Sequence, residues 1–321
     1  MKWPWQNAKQ SNPATPSVLP IDSARFPVEA PDEGTAEKGS ELLSVSNVES
    51  DALGDLAKLP PFRPVVISLM RLFDRADVTL ADVAPLVESD PSLASEILAV
   101  VNSPLFAFRQ NVASPAHAIS LLGVERTKSV AATLAMRSLM QGGPRTPVVR
   151  RFWILSIATA TIARIIAPVF GVAPEMAHVS ALMHDLGRSG LLAAYPEEYA
   201  KLALTAHEST AQILEQESAT LGMTHSHAGA LLAKAWMLPA VFAEVTEAHH
   251  DCSRTEGCVG LVQLACLLAD SFMYLSIHRL DVQKPEETIA NFAPAVLAPE
   301  LICLLPEARS AVDNAIQTLD F

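Results

Sequence analysis

The sequence predicts an all-α protein built as a two-lobed helical bundle. Apolar residues recur at helical spacing, as in Leu93, Ile97, Leu98 and Val101. Proline and capping residues announce one helix start after another. No stretch alternates apolar and polar residues with the period of two that a half-buried strand requires. Half of the 321 residues are apolar, enough to bury a sizeable core.

Residues 1–52 are rich in Pro, Ser, Glu and Ala without an apolar period, and read as a flexible N-terminal tail. Trp3 and Trp5 read as loosely docked or idle there, with a short partner-binding motif as the alternative. The first lobe is expected over 53–143. Thr79 with Asp82 resembles a helix N-cap. Asp90-Pro91 sets a cap carboxylate before a first-turn proline, and the helix runs from Ser92 to Val101. Ser114-Pro115 repeats that signal, Gly123 stops the helix, and a longer helix spans Val124–Met140. Gly142-Gly143-Pro144 breaks the pattern and joins the lobes. The second lobe, 144–284, is expected to hold helices near 149–166, 174–186, 197–202, 208–220, 225–236, 239–250 and 257–277. Within 285–321, Pro285–Pro299 reads as a loop and Pro299–Leu319 as a final amphipathic helix. Trp153 and Trp236 are expected in the core.

The formal charge of -12 argues against a partner that is a nucleic-acid backbone. Cys252, Cys258, Cys266 and Cys303 form no CxxC pair, which disfavours a zinc knuckle and fits a reducing cytosol. Phe152–Ala173 imitates a membrane span but carries Arg164 near its centre, and Val259–Ile277 contains Gln263 and Asp270. Both read as interior helices, so no membrane insertion is expected. The N-terminus has no apolar signal-peptide region, and the location expected is cytoplasmic.

The residues able to carry chemistry centre on His184-Asp185, where an imidazole and a carboxylate stand side by side at a helix end and can share a divalent ion. Downstream come His225 at a helix start, His249-His250 at a helix end, and Asp270 inside an apolar helix. A charge between Leu267-Leu268 and Phe272 needs a partner or a metal. Each position also has a plain structural role. His184-Asp185 can be a hydrogen-bonded pair, His225 an ordinary first-turn residue, and His249-His250 a polar cap. No nucleophile elbow or phosphate-cradling glycine loop is present.

The order His-Asp, His, His-His, Asp resembles the HD superfamily of metal-dependent phosphohydrolases and its HD-GYP branch, which cleaves cyclic di-GMP. Two features depart from it. No histidine lies between His117 and His178 to supply that family's upstream ligand, and Asp251-Cys252-Ser253 follows the doublet where a glutamate and Gly-Tyr-Pro would stand. The chain is more similar to the HDOD family, a degenerate relative, over Leu59–Asp270. The first lobe carries Leu59-Pro60-Pro61, Asp90-Pro91-Ser92-Leu93, Asn102-Ser103 and Leu121-Leu122-Gly123. The second carries Phe152-Trp153, Met183-His184-Asp185-Leu186-Gly187, Glu217, Leu221-Gly222, Gly229, Trp236 with Leu238-Pro239, and His249-His250.

That resemblance implies an HD-like second lobe and a bacterial signalling output or scaffold module, non-catalytic, acting through protein partners beside cyclic di-GMP or kinase pathways. The alternative it implies is an HD-GYP-type phosphodiesterase for cyclic di-GMP or another nucleotide. It gathers His184, Asp185, His225, His249, His250 and Asp270 in a weak or vestigial metal site. No catalytic residue and no resident cofactor is expected, a divalent iron, manganese or zinc ion being the alternative. An uncharged residue of the 152–166 helix, such as Ser156, Thr159 or Thr161, is expected at the missing ligand's position.

Overall fold

A computed structural model describes residues 53–103, 111–142, 146–294 and 296–317. The expectations for the N-terminal tail with Trp3 and Trp5, and for Gly143-Pro144 at the junction of the lobes, fall outside these residues. Helices make up the fold, and no β-strand occurs among the described residues, so the chain is all-α. The backbones of His207 and Arg279 meet in an isolated parallel bridge.

In the first lobe, α1 (Pro64–Arg71), α2 (Leu80–Glu88), α3 (Pro91–Val101), α4 (Pro115–Leu122) and α5 (Val124–Gln141) pack together. Their starts follow the sequence signals. Thr79 and Asp82 form a reciprocal capping box, and the Asp90 carboxylate accepts from the Leu93 N–H at 3.0 Å. The second lobe follows with α6 (Pro147–Ile166), α7 (Pro174–Met183), α8 (Leu186–Ala194), α9 (Pro196–Leu204) and α10 (Thr210–Leu221). It continues with α11 (His225–Ala235), α12 (Ala240–Ala248), α13 (Gly257–Ser271), α14 (Pro285–Phe292) and α15 (Ala298–Gln317).

Helix α6 is the axis of this lobe, packing on α7, α13 and α15. With its following turn it is long and apolar enough to cross a membrane, yet 72% of its most apolar window is buried inside the protein. Arg164, which interrupts it, pairs with Glu175 at 2.6 Å. Helix α5 lies against α7, and the buried apolar residues form one cluster running through both lobes. Trp153 and Trp236 are buried in it.

Three element expectations need correction. The helix expected over 174–186 ends at Met183, and a separate helix begins at Leu186, so His184-Asp185 sits on the corner between them. The helix expected to reach 277 stops at Ser271. Met273 adopts φ 70° there and Tyr274 N–H returns to the Ala269 carbonyl at 3.0 Å, a left-handed C-terminal stop without glycine. Residues 285–292, expected as loop, are helical, with Pro285 in the first turn and Glu286 and Glu287 favoured by the positive end of the helix dipole.

Candidate functional site

The α7–α8 corner points His184 and Asp185 into the lobe, where α11 delivers His225 and the end of α12 delivers His249 and His250. Glycine sets how closely α8 and α11 approach. A Cβ on Gly187 would lie 1.8 Å from the His225 carbonyl oxygen and 2.5 Å from the Gly229 nitrogen. One on Gly229 would lie 3.1 Å from the Gly187 nitrogen. Two glycines facing each other therefore bring His225 beside Asp185.

Ligand-capable atoms of Asp185, His225, His249 and His250 all lie within 4.8 Å of one another. His225 Nε2 is 3.3 Å and His249 Nε2 is 3.4 Å from Asp185 Oδ1, and the Nε2 atoms of His225 and His250 are 3.0 Å apart. Ligands sharing one ion at about 2.0–2.2 Å stand roughly 2.9–3.5 Å from one another. The spacing fits a single ion.

The proton positions fit too. Each of three imidazoles places Nδ1 on an acceptor: His184 on the Ala181 carbonyl (2.6 Å), His249 on the Thr246 carbonyl (2.9 Å), and His225 on Glu217 Oε2 (2.7 Å). Each Nδ1 therefore carries the proton, and each Nε2 lone pair is left for the cluster. His184 Nε2, His249 Nε2 and Asp185 Oδ1 are buried with no hydrogen-bond partner. Orphaned buried acceptors cost about 1–3 kcal/mol each, and a cation held in the cluster would relieve those of Asp185 and His249 together. His184 borders the group, its Nε2 3.6 Å from Asp185 Oδ2. The donor set of imidazoles and a carboxylate suits iron, manganese or zinc.

A cation of the protein's own already occupies one side. Arg188, one helical turn past Asp185, donates from Nε to Asp185 Oδ2 at 2.8 Å. Its Nη1 lies 3.2 Å from the Tyr199 hydroxyl and 3.4 Å from Glu217 Oε1. Tyr199 donates to Glu217 Oε1 (2.8 Å), and Glu217 Oε2 also accepts the His225 backbone N–H (2.8 Å). Burial alone would raise the Asp185 carboxyl, but Arg188 and the neighbouring His184 hold it well below the usual range. Glu217 behaves likewise: burial raises it, and His225 and Arg188 bring it down to about 2. Burial lowers His184 to about 4 and depresses His225 and His250, so these three imidazoles are neutral.

Of the residues expected at the site, Asp185, His225, His249 and His250 converge, with His184 beside them. Asp270 lines the small cavity beside Asp185 and His250 but stays out of the cluster of ligand atoms, its carboxylate paired with Arg279 at 2.6 Å. The expectation that a charge in an apolar helix needs a partner holds, but the partner comes from the loop after α13, tied down by the His207–Arg279 bridge. Burial still pushes Asp270 up to about 6 against the pull of Arg279. From α6, Leu155 rather than Ser156, Thr159 or Thr161 borders the small cavity, of about 20 Å³, beside Asp185, Arg188 and His250. His178 lies apart, bonded to Thr133 (3.1 Å) and the Ala160 carbonyl (3.2 Å).

Sequence reasoning missed Arg188 and Tyr199, and took Glu217 only as a motif residue. The signal available for Arg188 was its spacing, since three residues after Asp185 on a helix places the two side chains together.

The HDOD domain profile matches residues 59–252. A curated relative from Treponema pallidum (strain Nichols), an uncharacterized protein, is 23% identical over 243 residues. That alignment covers 75% of this chain, which spans only 45% of the relative's length. Among solved structures, an HDOD domain protein of unknown function from Geobacter sulfurreducens superposes with TM-score 0.65 at 21% identity, covering 84% of this chain and 98% of that one. A candidate signal transduction protein from Marinobacter aquaeolei VT8 gives 0.60 at 18% identity, over 84% of this chain and 66% of that one. A candidate metal-dependent phosphohydrolase from Shewanella amazonensis SB2B gives 0.55 at 17% identity, over 84% and 98%. At these identities the solved structures speak for the fold, and the profile, spanning more than half of the sequence, speaks for the family: this chain belongs to the HDOD family.

Proposed function

We propose that this chain is a regulatory module of bacterial signal transduction that works through protein contacts, its HD-like lobe holding one divalent ion without turnover. The observation that carries the reading is the Arg188–Asp185 contact of 2.8 Å. A carboxylate whose second oxygen is bound to a fixed guanidinium has one oxygen left for metal, and the neighbouring Glu217 is likewise engaged by Arg188, Tyr199 and His225. The site is satisfied by a single ion. The cavity beside it is small, about 20 Å³, the space of roughly one water molecule. Contact surface is available elsewhere: a cleft of about 490 Å³, lined by Leu139, Met140, Val148, Phe152, Leu192 and Leu204, lies where α5, α6, α8 and α9 meet. The Marinobacter neighbour described as a candidate signal transduction protein is consistent with this role. The expected partners are signalling proteins of cyclic di-GMP or kinase pathways, in the cytoplasm.

The second reading, a metal-dependent phosphohydrolase, is favoured by the three orphaned acceptors on His184, Asp185 and His249. Asp185, His225, His249 and His250 would hold the ion, which when bound supplies a polarised phosphoryl oxygen and an acidified water. The two readings part in one assay. Protein loaded separately with Mn²⁺, Fe²⁺ and Zn²⁺ is incubated with cyclic di-GMP and with bis(p-nitrophenyl) phosphate. The regulatory reading expects rates no higher than those of His249→Ala. Robust turnover lost in that variant would establish the second.

A further inference from the structure

The apolar cleft of about 490 Å³ where α5, α6, α8 and α9 meet takes only two polar residues into its wall, Thr146 and Ser189, and no charged one. Leu204 at its edge is 65% exposed, a large apolar side chain left to water. Such a wall has nothing with which to hold a charged ligand, and it offers burial to aliphatic side chains.

The chain enters the fold beside this cleft. Residues 53–56 form a helical turn whose Leu56 is fully buried against α8, where a Cβ on Gly190 would lie 3.1 Å from Leu56 Cδ2. The Tyr195 hydroxyl donates to Asp55 Oδ2 at 2.9 Å, and Lys58 Nζ donates to the Ala194 carbonyl at 3.1 Å. The turn is thus tied to the end of the helix that gives the cleft Ser189, Leu192 and Ala193. Leu59, the next residue, is itself part of the wall.

Upstream lies a segment of matching chemistry. Residues 42–48 carry the aliphatic side chains of Leu42, Leu43, Val45 and Val48, with neither a charge nor a proline among them. The five residues from Val48 to Leu53 reach up to roughly 17 Å when extended, enough to carry the segment back along α8. Val18, Leu19 and Ile21 form the next aliphatic group, but Ile21 stands thirty-two positions before Leu53. Effective concentration falls steeply with tether length, which favours the nearer segment.

We propose that residues 42–48 of this chain occupy the cleft, their aliphatic side chains against Val148, Phe152, Leu192 and Leu204, so that an outside partner gains the cleft only by displacing them. This deepens the reading of the cleft as a contact surface by naming what regulates it. The docking itself needs neither partner nor metal, so the two ideas fail separately.

The test is photo-crosslinking in the full chain, with p-benzoylphenylalanine in place of Leu204 and the captured peptide identified by mass spectrometry. Capture of residues 42–48 within the same chain is expected, at a yield independent of protein concentration. Replacing both leucines (Leu42→Asp with Leu43→Asp) should lower that yield roughly tenfold or more, because two apolar contacts become charges. The Tm should stay that of the parent, since both positions precede the packed core. The same photoprobe in place of Ile302, exposed on α15 and no part of the cleft, should not capture the segment. Equal capture from position 302, or an unchanged yield in the Asp variant, would mean random collision of a tethered chain and would overturn the proposal. So would capture of residues 18–21 instead, capture between chains that grows with concentration, as for a second copy, or no capture of the segment at all.

Discussion

Arg188 donates a 2.8 Å hydrogen bond to Asp185 inside a cluster whose other polar atoms are arranged to receive a cation. A divalent ion bound there would share that carboxylate with Arg188, which holds Oδ2 and leaves Oδ1 facing His225 and His249. The guanidinium lies between Asp185 and Glu217, and Glu217 in turn fixes the tautomer of His225. Any affinity for metal, the stability of the metal-free protein and the electrostatics of the site would therefore be linked through a single side chain.

Removing that side chain is the first test of the link. Arg188→Met leaves Asp185 and Glu217 as buried charges without their partner, a change that typically costs about 3–5 kcal/mol. In EDTA, the Tm of the variant should fall well below that of the parent. Added Mn²⁺ or Zn²⁺ should recover more Tm for the variant than for the parent, because the ion replaces the lost positive charge. Equal metal-induced shifts in the two proteins would mean that Arg188 and the ion do not compete.

Glu217 is expected to tune the metal through His225. Glu217→Gln keeps the shape but weakens the hold on His225 Nδ1–H, and changes of this kind cost roughly 10–100-fold in metal affinity. His249→Ala, which removes a ligand atom outright, should cost more. Competition titration with a chromogenic chelator measures both, and a Glu217→Gln affinity equal to the parent's would remove Glu217 from the account.

The glycine contact between α8 and α11 should be intolerant of a single added carbon. Gly187→Ala places a Cβ 1.8 Å from the His225 carbonyl oxygen, so the helices must part. The expected loss is about 3 kcal/mol or more in urea unfolding, with metal affinity lost alongside. Full metal affinity in Gly187→Ala would show that helix spacing does not set the site.

Acid should destabilise the fold through its buried neutral imidazoles. Burial, with Arg164 nearby, lowers His178 to about 3, and burial lowers His184 to about 4, against an ordinary value of 6.5. Between these values the unfolded chain binds more protons than the folded one. Stability is therefore full above about pH 6.5 and declines as pH falls toward 3, by up to roughly 1.4 kcal/mol per unit for each group. His178→Gln, away from the histidine–aspartate cluster, should lower stability at neutral pH but flatten the decline between pH 6.5 and 4. Equilibrium unfolding across this range tests the sign.

Much of this architecture was legible in the sequence because helix starts are local events. Asp90-Pro91 and Ser114-Pro115 each satisfy their own first turn, so their chemistry shows without knowledge of the fold. Four of the six expected ligands converge, since their spacing fixes which helix ends they occupy. The failures are non-local. Asp270 is partnered by Arg279 only because the loop after α13 is pinned to His207, a contact across some seventy residues of sequence. Arg188 looks like an ordinary helical arginine until Glu217 and Tyr199 fold against it. The stop at Met273 has no glycine to announce it, and Pro285, at the start of a segment that reads as loop, opens a helix.

The most direct test of the central claim is a count of metal ions. Purified protein is stripped with chelator, equilibrated with excess Mn²⁺, Fe²⁺ or Zn²⁺, passed through a desalting column, and analysed for metal and protein together. One ion per chain, lost in His225→Ala and in His249→Ala, is the predicted result. Two ions per chain would contradict it, because Arg188 would then have failed to hold the place of the second. No ion with any of the three metals would contradict it equally, leaving the converging imidazoles as a hydrogen-bonded structural cluster.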